Sequence, residues 1–280
     1  MVHKFTSFFG VDFSGAKQAG KNIWIARLES NPDTFQLTDL HCLAKLCSPE
    51  RYAAHKYLVD RISESESALW GMDLPFGLPL EIMGEKTPWS GQIKQVQSWG
   101  DDAYDFGLEC IRRAKLLGGP IHVRRLTDTE AKAPFDGYHY RIIYQTFYGM
   151  RDVVGQLMQR PHTAIIPFHY TRLAKAKRVC VETCPSSTLK RLGLPHQNYK
   201  QPTGGPLLPK RLKTRHAILD GLAEFVLISP GHRRVIMRNG GGDALDAVIA
   251  ALGAIQGWRA ADHAAIRRHS RYPREGYIFS

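Results

Sequence analysis

The sequence predicts an α/β protein with a five-stranded mixed sheet, helices on both faces and a helical insertion. Three short apolar runs near the start of the chain are joined by Gly, Asn and Pro turns, which indicates three antiparallel strands. Two later apolar runs stand between helical stretches and end in an acidic residue, which indicates parallel strands. The helical stretches around these runs carry apolar faces that can pack against the sheet.

The first strand is predicted within residues 4–15, KFTSFFGVDFSG, where an aromatic and apolar run carries Asp12 near its end. The second strand is predicted over residues 22–28, and the third near residues 35–43. Because the connections are short and rich in turn-forming residues, we expect the three strands to form an antiparallel meander.

A helix and a fourth strand follow the meander. Ser48 suits an N-cap and Pro49 suits the first helical position, so a helix is predicted from there to about residue 61. Residues 68–74, ALWGMDL, form a compact apolar strand with Asp73 at its end. Prolines and glycines exclude regular structure over residues 75–91.

The middle of the chain is expected to be a helical insertion, approximately residues 75–177, between the fourth and fifth strands. It carries helical patterns over residues 93–117 and 140–159. The fifth strand is predicted over residues 178–182, RVCVE, and is stopped by Pro185.

Two helices are predicted in the last third of the chain. The first is basic and amphipathic and covers residues 206–226, and the second begins after the glycines at 240–242 and ends near residue 258. The tail, EGYIFS, is expected to add a short edge strand. One side of the last helix has small residues that allow close packing on the sheet: Ala247, Ala250, Gly253, Ala254 and Gly257.

This order of elements is that of the RNase H-like fold, in which the first, fourth and fifth strands run parallel. It predicts one domain over residues 1–280. Ligands of open α/β sheets bind at the carboxyl ends of the parallel strands. Asp12, Asp73 and Glu182 each stand at the carboxyl end of one of these three strands.

The last helix adds two more acids. The stretch GGGDALDA places Asp243 and Asp246 three residues apart, on one face of the first turn. Both also suit a helix N-terminus, with Asp243 as the N-cap and Asp246 as the acidic partner of a capping box. From this pattern alone, capping and metal binding both stay open.

The five acids together favour a metal centre. Carboxylates that converge in a small volume repel one another, and a pair of hard divalent cations offsets that repulsion. Two Mg²⁺ or Mn²⁺ ions held in this way can activate a water and stabilise the leaving oxygen of a phosphodiester.

Four motifs, GVDFSG, DLPFGLP, VETCPSSTLKRLG and GGGDALDA, occur in this order along most of the chain. Together they resemble the DUF429 family, which comprises predicted nucleases of RNase H-like fold. The terminal DALDA pattern also resembles RuvC-type Holliday-junction resolvases. The resemblance implies that Asp12, Asp73, Asp243 and Asp246 bind metal, and Glu182 matches a further acid of the family. All five are predicted catalytic residues.

The chain is strongly basic, with 38 Lys and Arg against 26 Asp and Glu and a formal net charge of +12. Such a charge favours a polyanionic partner, and we expect nucleic acid, either DNA or RNA. The predicted phosphate contacts are Lys190, Lys200, Lys210, Arg211, Lys213 and Arg215. A solvated helix face is the other interpretation of this cluster. Tyr140, Tyr144 and Tyr148 form a helical stripe that either stacks bases or packs in the core.

The sequence also bears on location. No run of about 18 apolar residues occurs, so no membrane span is expected. The N-terminus lacks the pattern of a signal peptide, and five scattered cysteines favour a reducing cytoplasm over a disulfide framework.

These observations predict a Mg²⁺- or Mn²⁺-dependent nuclease that acts by two-metal hydrolysis, with Asp12 bridging the two ions. One alternative is a nucleic-acid-binding protein with a degenerate site. Another is a nucleotide-binding ATPase or a kinase-like member of the same fold. The actin-like ATPase and sugar-kinase folds need two such domains and a second phosphate loop, and neither is found in these 280 residues.

Overall fold

The fold is built on a seven-stranded mixed sheet, described for residues 5–201 and 205–280 of a computed structural model. The strands are β1 (Ser7–Asp12), β2 (Trp24–Ser30), β3 (Phe35–Cys42), β4 (Ala68–Asp73), β5 (Thr163–Ile166), β6 (Arg178–Glu182) and β7 (Val226–Leu227). They lie in the order β5-β6-β4-β1-β2-β3-β7. The pairs β1–β2 and β2–β3 are antiparallel, and the other neighbouring pairs are parallel.

The predicted number of strands is wrong, although all five predicted strands are present. Residue 4, the predicted start of the first strand, lies outside the described residues. The two additional strands lie at the edges of the sheet, where β5 pairs with β6 and β7 pairs with β3. They have four and two residues, which is too short for a clear alternation of apolar and polar positions.

Thirteen α-helical segments are present in the described residues. They are α1 (Arg51–Glu64), α2 (Leu80–Met83), α3 (Trp89–Ser98), α4 (Ala103–Leu116), α5 (Leu126–Glu130), α6 (Ile143–Tyr148), α7 (Gly155–Leu157), α8 (Pro185–Arg191), α9 (Pro209–Leu222), α10 (Pro230–Arg238), α11 (Asp243–Ala260), α12 (His263–Arg268) and α13 (Tyr272–Glu275). A π-helical stretch, Gly149–Val154, joins α6 to α7.

The segment between β4 and β6 differs from the prediction in three ways. It contributes β5 to the sheet, so it is not purely helical. The stretch 75–91 contains α2 and the start of α3, despite its prolines and glycines. The single helix predicted over 93–117 is two helices, because Gly100 adopts a φ of +97° and Asp102 caps α4 by accepting from the Asp105 amide at 2.9 Å.

The C-terminal third also differs in detail. The basic helix predicted over 206–226 ends at Leu222, and β7 and α10 follow it. The predicted edge strand of the tail is a single bridge between Ile278 and Glu182. The last helix is confirmed, with α11 extending two residues beyond the expected end.

The sheet separates two hydrophobic layers, and alternation along each strand decides which layer a side chain joins. In β1, Phe9 and Val11 pack with α1 and the helices of the β4–β6 segment. Phe8, one residue out of phase, packs with α8 to α11 on the opposite face. By the same alternation, Gly10 and Asp12 belong to the face covered by α11.

Two glycines allow α11 to lie directly on the sheet. A Cβ atom on Gly10 would lie 2.0 Å from the Ala247 carbonyl oxygen, and one on Gly71 would lie 2.6 Å from the Ala250 carbonyl oxygen. No side chain fits at either position without moving the helix. The predicted small-residue contact with the sheet is therefore confirmed at Ala247, Ala250 and Ala254. Gly253 and Gly257 instead lie against Thr188 of α8 and the backbone of Phe279.

No helix within 5–201 or 205–280 combines the length and the apolar character needed to cross a membrane. All five cysteines are free thiols. Cys42, Cys110 and Cys180 are buried, and the other two are partly buried.

Candidate metal centre

Three of the predicted acids converge at one edge of the sheet. Asp12, Asp73 and Asp246 each offer a carboxylate oxygen, and these three oxygens lie within 4.8 Å of one another. Asp12 and Asp246 are buried, with 8% and 1% of their surface exposed, and Asp73 is partly exposed. We call these three residues the acidic triad.

The register of β1 and β4 places the first two acids side by side. In this parallel pair Asp12 is the direct partner of Asp73, and Gly10 is the direct partner of Gly71. Both strands therefore end in the same pattern, a glycine, an apolar residue and an aspartate. Since α11 lies on the glycine pair, its first turn is brought to the aspartate pair two residues further on.

The N-terminus of α11 directs Asp246 toward the strands and leaves Asp243 outside the triad. The N-cap residue is Gly242, with a φ of +90°, so of the two interpretations left open for Asp243 the structure excludes the N-cap. Asn239 supplies the capping bond instead, because its Oδ1 accepts from the Ala244 amide at 3.0 Å. The Nδ2 of Asn239 donates to Asp243 Oδ2 at 3.4 Å.

Both carboxylate oxygens of Asp246 have partners. The hydroxyl of Tyr199 donates to Oδ1 at 2.8 Å, and the ammonium of Lys200 forms an ion pair with Oδ2. The side chain of Lys200 is 44% exposed, so this cation stands between the buried acid and solvent. Lys200 was predicted to contact phosphate, and no motif in the sequence pointed to Tyr199.

Arg215 was predicted to contact phosphate, and this prediction is wrong because Arg215 lies in the interior. It is fully buried, and its guanidinium donates to the backbone carbonyls of Tyr199, Ile236, Asn239 and Gly240 at 2.6–3.0 Å. These bonds tie the segment that carries Lys200 to the loop that precedes α11. Arg215 lies on the buried side of α9, so the number of basic residues on that helix overstates how many of them can contact phosphate.

Burial and mutual repulsion raise the pKa values of Asp12, Asp73 and Asp243. Burial, together with the negative charge of Asp246, raises the pKa of Asp73 to about 7, while Lys200 opposes the shift. Burial also raises the pKa of Asp12 well above its usual range, and Lys200 again opposes this. Burial raises the pKa of Asp243 as well. A site with this much concentrated negative charge is stabilised by a cation.

Glu182 belongs to a separate ion-pair network. In the register of β4 and β6 it is the partner of Met72, whose side chain packs in the layer opposite to α11. Its carboxylate accepts from the guanidinium of Arg125, at 2.8 Å for Nη1–Oε2, and from the Phe76 amide at 3.0 Å. Asp128 also binds Arg125. Glu182 therefore shares with Asp128 the charge of Arg125, which the sequence did not single out.

The acids lie in a cleft of about 720 Å³ at the carboxyl ends of the strands. Asp73 and Asp246 line it, and Asp12 is buried beside them. Basic side chains also line it, namely Lys190, Lys200, Arg211 and Arg141. Two predicted phosphate contacts, Lys210 and Lys213, are exposed on α9 and do not line this cleft.

Comparisons of the chain with protein-family models, with curated proteins and with solved structures find no match. The resemblance to the DUF429 family therefore stays a prediction. What the site can do follows from its own residues.

The acidic triad fits a hard divalent cation. Three carboxylate oxygens within 4.8 Å of one another form the donor set that Mg²⁺ and Mn²⁺ prefer. Partial exposure of Asp73 on the cleft gives an ion access from solvent. An ion held by all three acids competes with Lys200 for Asp246.

Proposed function

We propose that this protein is a divalent-metal-dependent nuclease that hydrolyses phosphodiester bonds in the cleft. The convergence of Asp12, Asp73 and Asp246 beside cationic walls is the observation that carries the proposal. The carboxylates are suitable ligands for a hard cation, and the basic side chains that line the cleft are suitable partners for a phosphate backbone. The net charge of +12 favours the same polyanionic partner.

The strand order supports an RNase H-like fold. The five central strands lie in the order β6-β4-β1-β2-β3, in which β1 to β3 are antiparallel and β1, β4 and β6 are parallel. This is the arrangement expected from the element order, with β5 and β7 added at the edges. The motifs that resemble the DUF429 family contain Asp12, Asp73 and Asp246, so the resemblance supports the same site.

In this proposal the acidic triad would hold Mg²⁺ or Mn²⁺, and the basic side chains that line the cleft would hold the nucleic-acid backbone. Such an ion supplies positive charge that acidifies a water and stabilises the leaving oxygen. Asp12 and Asp73 hold it from adjacent strands, and Asp246 holds it from the helix. Lys190 and Arg211 neutralise phosphates on the walls, which orients the scissile bond toward the triad.

A second ion needs a further oxygen ligand. Asp243 is the candidate, because its charge acts on Asp12 and, among the described residues, its carboxylate accepts only a long bond from Asn239. Glu182 is the weaker candidate, since Arg125 already neutralises it. The two-ion mechanism therefore depends on Asp243.

The ion pair between Lys200 and Asp246 favours one alternative function. A lysine that permanently replaces the cation would leave a nucleic-acid-binding protein with a degenerate site. Stabilisation by metal separates the two possibilities, because an ion that binds only the folded state raises the melting temperature. A degenerate site shows no such increase.

We also propose a cytoplasmic location. The five free thiols agree with a reducing compartment, where disulfides are rare.

The proposed function is tested by incubating single-stranded, duplex, hybrid and four-way-junction substrates with Mg²⁺, Mn²⁺ or EDTA. We expect metal-dependent products from at least one substrate and none in EDTA. Asp12→Asn should abolish cleavage, because it removes a buried ligand without removing bulk.

The matched control is Asp220→Asn, which changes an exposed acid on α9 and should leave cleavage unchanged. Cleavage that persists in EDTA or in Asp12→Asn would contradict the proposal. So would the absence of metal-dependent products from all four substrates.

A further inference from the structure

A cluster of aromatic rings and one arginine lies beside the cleft. The ring of His139 lies 4.5 Å from the rings of both Phe135 and Tyr140, measured between centroids. The guanidinium of Arg141 lies 5.6 Å from the Phe135 centroid and 5.7 Å from that of Tyr140. Its Nε donates to the Tyr140 hydroxyl at 3.1 Å. We call these four residues the aromatic platform.

The platform is open to solvent and continuous with the cleft. Tyr140 is 64% exposed, although a ring of this size is normally covered on at least one face. Phe135 and Arg141 line the same cleft as Asp73 and Asp246. Arg141 is also exposed, and Phe135 and His139 are partly exposed. Single exposed aromatics are common on protein surfaces, but a contiguous group of accessible rings beside a cleft marks a binding surface.

The platform is also held in a fixed position relative to the acids. Gln145, one turn beyond it in α6, donates its side-chain amide to the backbone carbonyl of Asp73. The loop after Asp12 rests on the same helix, because a Cβ on Gly15 would lie 2.0 Å from the Tyr144 carbonyl oxygen. The ends of β1 and β4, which carry Asp12 and Asp73, therefore both contact the start of α6.

We propose that the aromatic platform stacks an unpaired base of a single-stranded nucleic acid whose backbone enters the cleft. This inference rests on the proposed function and names its substrate class. Aromatic and guanidinium faces bind the faces of bases, which are accessible in a single strand and covered in a duplex. The cationic walls of the cleft provide the complementary charge for the phosphates.

The size of the cleft agrees with this substrate. A volume of about 720 Å³ is that of a pocket for a small molecule. Asp246 lies buried at its wall and Asp12 is buried beside it, so a nucleic-acid strand reaches the acids by inserting one part of its backbone. A duplex presents no unpaired base to the platform unless a nucleotide is flipped out.

The test is the affinity for a fluorescein-labelled 20-mer of DNA or RNA, measured by anisotropy in EDTA at low salt, so that no cleavage is needed. Tyr140→Ala should weaken binding of the single strand roughly 5- to 150-fold, as for the loss of one stacked base. Tyr140→Phe keeps the ring and should stay within about twofold of wild type. The matched control, Tyr52→Ala, removes a tyrosine that is 79% exposed on α1 and should have no effect.

An abasic 20-mer isolates stacking from charge, because it keeps the phosphates and lacks the bases. Tyr140→Ala should leave its affinity unchanged, which completes a double-mutant cycle between ring and base. Equal weakening of the abasic and the normal strand would overturn the proposal. An unchanged affinity of Tyr140→Ala for the normal strand, or a wild type that binds no single strand, would also overturn it.

Two further ligands distinguish the substrate class. A blunt duplex should bind with an affinity that Tyr140→Ala does not change. A mononucleotide that binds as tightly as the 20-mer would overturn the single-strand assignment in favour of a free nucleotide. Because these affinities are measured without metal, stacking can be demonstrated even if cleavage fails, and cleavage can be demonstrated even if stacking fails.

Discussion

Lys200 is ion-paired with Asp246, the most buried carboxylate of the acidic triad. A buried carboxylate needs a positive partner or a proton, and the lysine supplies that partner. The lysine also has a partly exposed side chain, so it can move into the cleft when another cation binds the acid. We therefore expect the ammonium and a divalent ion to compete for one oxygen of Asp246.

The first prediction concerns this competition. Lys200→Met should lower the stability of the metal-free protein by about 1–2 kcal/mol, because Asp246 loses a half-exposed partner. The increase in melting temperature caused by Mn²⁺ should be larger than in wild type, because Mn²⁺ no longer competes with the lysine. Each tenfold gain in the affinity for Mn²⁺ adds about 1.4 kcal/mol to the free energy of unfolding. Thermal unfolding with EDTA and with millimolar Mn²⁺ measures both effects.

The control for Lys200 is Lys190→Met, which removes a lysine of the same cleft that donates to the Lys132 carbonyl instead of an acid. It should leave the Mn²⁺-induced increase unchanged. If Lys200→Met gave the same increase as wild type, the competition would be refuted.

The second prediction separates the two acids of α11. Asp246→Asn should abolish most of the Mn²⁺-induced increase in melting temperature, because Asp246 belongs to the triad. Asp243→Asn should abolish less of it, since Asp243 lies outside the triad, and Asn239 and not Asp243 caps the helix. An equal loss from both variants would place Asp243 among the ligands of the first ion.

The third prediction concerns pH. The pKa of Asp73 is raised to about 7 by burial and by Asp246, whereas an aspartate in an unfolded chain titrates near 4. Between pH 4 and 7 the folded state therefore holds a proton that the unfolded chain has lost. The free energy of unfolding of the metal-free protein should fall as pH rises through this range.

Metal binding should show the opposite trend, because the ion replaces that proton. The Mn²⁺-induced increase in melting temperature should be small at pH 5.5 and larger at pH 8. Asp73→Asn should reduce the pH dependence of the metal-free protein, although Asp12 contributes in the same direction. The account would be contradicted if the free energy of unfolding of the metal-free wild type rose from pH 5.5 to pH 8 and Asp73→Asn removed that rise.

The fourth prediction concerns Glu182. Glu182→Gln should destabilise the protein by about 3 kcal/mol, because it breaks a buried pair with Arg125. It should leave the Mn²⁺-induced increase in melting temperature unchanged, since Glu182 pairs with Arg125 and is not one of the three converging acids. The control, Glu66→Gln, breaks an exposed pair with Lys177 and should leave the stability nearly unchanged. Loss of the metal effect in Glu182→Gln would return this residue to the metal centre.

The sequence predicts the acidic triad well because strong local patterns carry it. Asp12 and Asp73 each end an apolar strand, and parallel strands bring such ends to one edge. The small residues of α11 predict its close approach to the sheet. A more specific signal in the sequence is the glycine two residues before each aspartate, at Gly10 and Gly71, which lets α11 lie directly on the sheet.

Properties that depend on register and tertiary contact were not predictable in this way. Glu182 also ends a strand, but its register with Met72 turns its side chain toward Arg125, and no local pattern reveals that alternation. Arg215 looks like its basic neighbours in the sequence and is buried by the segment around Tyr199. The edge strand β7 has two residues, so only its partner β3 defines it.

The most direct test of the metal centre is a crystal soaked in Mn²⁺ and examined by anomalous diffraction. We expect a peak about 2.1 Å from one oxygen of each of Asp12, Asp73 and Asp246, with the ammonium of Lys200 displaced from Asp246. An absence of anomalous density among these three acids at millimolar Mn²⁺, with Lys200 still paired to Asp246, would contradict the account.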